Sequence, residues 1–131
     1  MTAPDQPLKQ ILEQNKGFGH REHVQLAWTY LRTLPPDEAR AAMRRSIRHL
    51  AHAHDAPDRY HETLTLAWMD VVDLHLRDRP SDDSFADFIE RNERLLDSRL
   101  LQRHYSPELL TSPQARREYV PPDLRRFPAL A

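Results

Sequence analysis

Two short runs of this chain hold residue types that do chemistry. His20-Arg21-Glu22-His23 opens one helical pattern, and Tyr60-His61-Glu62-Thr63 opens another. Imidazole is the commonest protein ligand for transition metals. His20 and His23 are three apart, so on a helix their side chains reach one side and can chelate a single ion. His61 would add a third nitrogen. Three protein ligands leave a position for water or substrate, as catalytic zinc sites do. The expected centre is therefore His20, His23 and His61 around a divalent transition metal. All-nitrogen ligation suits Zn, Cu, Ni or Fe alike. Glu62, Glu22 and Tyr60 are the candidate catalytic groups, with either carboxylate placed to orient a ligand or move a proton near metal-bound water. Asp55 and Asp58 are further acceptors for the ligand imidazoles. The same residues also read as a metal-free polar pocket, hydrogen-bonded to Tyr60, Thr63 or each other.

Such a centre needs helices that bring the two runs together. The first helix is expected from His20 or Arg21 to Thr33, ending before Pro35-Pro36, with His20, His23, Ala27 and Tyr30 on its inward stripe. A second begins near Pro36-Asp37-Glu38, with acids in its first turn as the dipole favours. It buries Ala39, Met43, Ile47, Leu50 and His54, and Arg40, Arg44, Arg45 and Arg48 cover its outer face. A third starts near Pro57 or Asp58, runs to about Arg77, and is apolar over a broad arc. Short connections make neighbours antiparallel, so the first and third helices would begin at one shared pole. His104 and Tyr105 could approach it, whereas His75 lies at the far end of the third helix. Trp28 and Trp68 read as core anchors.

Before the first helix, residues 1–17 read as a tail with a short helix at Leu8 to Gln14. Residues 18–131 read as a single domain. Pro80 to Asp83 suggests a turn, followed by a helix with Phe85, Phe88, Asn92, Leu95 and Leu96 inward. Ser106-Pro107-Glu108 and Ser112-Pro113-Gln114 are capped starts with Pro at the first helical position. The last residues suit an extended segment lying on the helices. The class is all-α: a four- to five-helix bundle with an extended C-terminal segment packed on it.

Composition narrows the function. The chain has 131 residues, 19 basic and 20 acidic, for a net charge of −1. That balance gives no general pull toward nucleic acid or an anionic membrane. No apolar run approaches the roughly 20 residues that span a bilayer, and Met1 to Lys16 lacks the apolar stretch of a signal peptide. A cytoplasmic location is the expectation. The absence of cysteine excludes disulfides, Cys-zinc sites and thiol catalysis. The two glycines, Gly17 and Gly19, are too few for a phosphate loop or a dinucleotide fingerprint.

The run Phe18-x-His20-x-x-His23-x-x-Leu26-Ala27-Trp28-x-Tyr30-Leu31, followed by Tyr60-His61-Glu62-Thr63-Leu64-Thr65, resembles a family of small bacterial proteins. The resemblance extends through His104-Tyr105-Ser106 and Ala115-Arg116-Arg117 to Pro122-Asp123-Leu124. It implies a stand-alone helical domain and brings no activity, cofactor or catalytic residue with it. The leading expectation is a small metal-dependent enzyme acting on a small molecule. The alternative is a metal-free helical binding or interaction module with a polar His/Tyr/Glu pocket. The charged surface is compatible with a homodimer.

Overall fold

The computed structural model describes residues 6–15, 17–78 and 84–127, and among these there is no strand. The α-helices are α1 (Gln6–Gln14), α2 (His20–Thr33), α3 (Pro36–Ala53), α4 (Glu62–Asp78), α5 (Phe85–Arg91), α6 (Pro107–Leu110) and α7 (Pro113–Arg117). Short 3₁₀ turns at Pro57–Arg59, Glu93–Leu96 and Leu100–Arg103 link them. The fold is all-α, as its 3.6-residue apolar periods require.

Helices α2, α3 and α4 pack on one another, with α7 against α4 and α1 against α2. Val24, Leu26, Met43, Leu66, Met69 and Val72 are almost wholly buried among them, as are Leu8 and Ile11 of α1. The first helix is thus part of the core rather than a tail. Trp28 and Trp68 are buried as expected. Tyr30 and Ser46 share a buried 2.7 Å hydrogen bond that fastens α2 to α3.

Three local expectations change. The third helix, expected from near Pro57 or Asp58, begins at Glu62, because His61 caps it. The turn expected at 80–83 lies outside the described residues, and Ser84 caps α5 by accepting from the Asp87 N–H. Helix α5 stops at Arg91, where the chain tightens into a 3₁₀ turn. The helical phase is lost there, so Leu95 is buried while Leu96, expected inward, is exposed.

Beyond α5 the capped starts form as read. The Oγ atoms of Ser106 and Ser112 accept from the N–H groups of Leu109 and Ala115, with Pro first in each helix. Residues 118–127 run extended over the bundle. The Tyr105 hydroxyl donates to the Val120 carbonyl at 2.8 Å. The Leu124 N–H donates to the His104 carbonyl, and Asp123 accepts from the N–H and hydroxyl of Ser106.

Candidate functional site

Helix α4 begins with a closed set of polar contacts. Tyr60 is extended (φ −59°, ψ 136°), so it and His61 leave the chain on opposite sides. His61 Nδ1 accepts from the Leu64 N–H at 3.1 Å, capping the helix, and its Nε2 lies 2.7 Å from the Leu110 carbonyl of α6. A carbonyl only accepts, so Nε2 carries the proton and both nitrogens are used. Thr63 Oγ1 shares its one proton between the carbonyls of Ala115 and Glu118 and accepts from the Val120 N–H. Thr65 Oγ1 donates to the His61 carbonyl. Glu62 is buried and accepts from the Tyr60 hydroxyl and, at 2.8 Å, from Arg44 Nε, while the Arg48 guanidinium stands 3.9 Å away. Burial first, and this hydrogen bond second, push the Tyr60 hydroxyl far above its usual pKa, so it stays a neutral donor.

Of the α3 arginines expected on a solvated outer face, Arg45 and Arg48 are exposed, whereas Arg40 and Arg44 are half-buried. Arg40, Arg44 and Arg48 are four apart and make one stripe toward α4. Arg40 pairs with Asp70 at 2.6 Å, and Arg44 with Glu62. An antiparallel helix carrying acids eight residues apart, at Glu62 and Asp70, offers partners to such a stripe.

At the start of α2 the Gly19 N–H donates to Glu22 Oε1 at 2.8 Å, which fixes that carboxylate as a helix cap. His20 Nε2 donates to the Leu95 carbonyl at 2.8 Å, and its ring meets the Trp68 edge at 4.5 Å between centroids. His23 is half-buried beside Phe18 (6.4 Å) and His20 (6.5 Å). Its Nε2 is shielded from solvent and has no hydrogen-bond partner. Burial, and secondarily the charge of His20, lowers the His23 pKa to about 4. The imidazole is therefore neutral at physiological pH.

The three histidines expected to share a metal do not gather. His20 packs on Trp68, which lies seven residues past His61, about 10 Å along α4 at 1.5 Å per residue. His20 therefore meets α4 about two turns in, and although Arg59 and Tyr60 before α4 share an opening with His20 and His23, His61 does not. His61 faces α6 with both nitrogens occupied. Among the described residues, no three His, Asp or Glu side chains form a group that could hold a metal ion. Of the proposed catalytic groups, Glu22 caps α2, Glu62 is held by Arg44, and Tyr60 donates to Glu62. His104 Nδ1 donates to the Arg125 carbonyl and Tyr105 to that of Val120, so both hold the C-terminal segment. His75 Nδ1 donates within its own helix to Val71.

What the structure does build beside His23 is a cleft of about 620 Å³. Phe18, Ile47, Leu50 and Ala51 give it an apolar wall, and His20, His23, His54, Arg59 and Tyr60 give it polar edges. His54, expected on the buried stripe of α3, instead follows its last residue and is exposed at this opening. No family model, curated protein or solved structure matches the chain.

Proposed function

We propose that this protein is a small helical binding module. Its ligand is a neutral small molecule with an apolar body and one hydrogen-bonding group, taken between the start of α2 and the end of α3. The observation that carries this reading is the unpartnered Nε2 of His23, a residue that lines the cleft. A buried polar atom without a partner costs about 1–3 kcal/mol, and a ligand group that reaches it, by a local shift of the side chains that cover it, recovers that energy. The neutral state of His23 suits an uncharged hydroxyl, amide or ring N–H. Phe18, Ile47 and Leu50 supply the apolar contact that small-molecule sites use for affinity. The volume lies within the usual range for such sites, roughly 300–1,000 Å³. Both nitrogens of His61 are committed elsewhere, which favours this reading over a metal-dependent reaction at His20, His23 and His61.

The test is amide NMR with phenol, indole and benzamide as probes. The reading expects saturable shifts at Phe18, His23 and Leu50 for at least one of them. It also expects about tenfold weaker binding in His23→Phe, which keeps a ring and loses the nitrogen, a factor equal to ~1.4 kcal/mol. If none of the three saturates at these residues, or His23→Phe binds equally well, the reading is wrong.

A further inference from the structure

A second cavity, of about 560 Å³, shares Tyr60 with the cleft and is lined by Arg48, Pro57, Asp58, Tyr60, Arg116 and Arg117. These residues come from α3, the turn before α4 and the end of α7. Thr63 brings the last two together by tying α4 to Ala115 and Glu118.

The cavity holds three guanidinium groups and one carboxylate; Arg48 and Arg116 are held in place, and Arg117 is exposed at the rim. Arg116 Nη1 donates to the carbonyls of Asp58 at 3.0 Å and Tyr60 at 3.4 Å. Those acceptors fix the side chain and leave its charge uncompensated. Arg48 lies over the Tyr60 ring, 4.7 Å from its centroid. Its nearest acid, Glu62, is 3.9 Å away and already takes bonds from Arg44 and Tyr60. Arg117 is exposed and makes no ion pair among the described residues. Guanidinium forks match the oxygens of phosphate geometrically as well as by charge. Holding the forks in place before binding reduces the ordering cost of association.

We infer that Arg48, Arg116 and Arg117 form a receptor for a phosphoryl-type dianion carried by a small molecule. The net positive cavity of a chain that is otherwise close to neutral favours this over a general attraction to polyanions. The site does not depend on the cleft at His23. Inorganic phosphate has no apolar body, so its binding tests the arginines alone.

The experiment titrates the folded protein with inorganic phosphate at constant ionic strength and follows the Nε–H signals of Arg48 and Arg116. The expected result is a saturable one-site shift. Arg117→Gln should weaken it about tenfold, since losing one charge-assisted bond of ~1.4 kcal/mol has that effect. Asp58→Asn removes the one carboxylate of the lining and should tighten binding about threefold. A lost structural contact would not produce that opposite sign. Absence of a saturable shift, or binding indifferent to either substitution, overturns the inference.

Discussion

The two histidine-bearing helix starts behave in opposite ways. At the start of α4, Tyr60, His61, Glu62, Thr63 and Thr65 all have partners: Tyr60 and Thr65 within the start itself, and His61, Glu62 and Thr63 on α6, α3, α7 and the C-terminal segment. At the start of α2, Glu22 and His20 are partnered, but His23 keeps a shielded nitrogen with none, beside an open cleft. Similar residue types do structural work in one place and leave an interaction unfulfilled in the other. Natural cores rarely keep such a group without a use, so the incomplete start is the better candidate for function.

Substitution of His23 should therefore differ in sign from substitutions at the start of α4. Thr63→Val keeps the shape and removes a hydroxyl that gives one shared proton to two carbonyls and accepts from one N–H. It should cost about 3 kcal/mol in urea unfolding, because two carbonyls and one N–H lose their partner. His61→Ala should cost about 1.5 kcal/mol through loss of the cap and of the bond to Leu110. His61→Asn, which still caps, should restore roughly half of that. His23→Leu at pH 7 should leave stability unchanged or raise it by up to ~1 kcal/mol, since it removes a partnerless buried nitrogen. A loss of stability in His23→Leu matching that in His61→Ala would erase the contrast.

Acid separates the two starts further. The pKa of His23 is about 4 in the folded protein against an ordinary value of 6.5. Between those values the unfolded chain binds a proton at this residue and the native protein does not. Stability falls as pH drops from about 6.5 toward 4, with no further loss from this group below that. At pH 5 the contribution is about 2 kcal/mol. His23→Leu should unfold with a correspondingly flatter dependence over this range. The smallest effect belongs to Glu22→Ala, which loses one exposed cap bond and should cost about 0.5 kcal/mol.

Helix positions were readable because apolar residues recur every three or four places and because Pro35-Pro36, Ser106-Pro107 and Ser112-Pro113 punctuate the chain. Side-chain direction around the ends was not. Periodicity assigns a face only inside a helix, and His61 is the capping residue just outside one. One extended step at Tyr60 turned the neighbouring imidazole away from the cleft. The arginine stripe was visible as 40, 44, 48, but solvated faces and ladders share that spacing. Only the acids at 62 and 70 on the facing helix separate the two cases. The cavity at Arg116 and Arg117 depends on the C-terminal segment returning to Thr63, a contact between residues more than fifty positions apart that no local pattern encodes.

The most direct measurement is an NMR titration of the His23 imidazole, read from its ¹⁵N shifts between pH 7.5 and 3.5. The account predicts a neutral ring down to about pH 4, the consequence of burial beside His20. Titration of His23 near 6.5, the value of a solvated histidine, would mean that the imidazole is open to water, and the argument for a ligand meeting its unpartnered nitrogen would be lost.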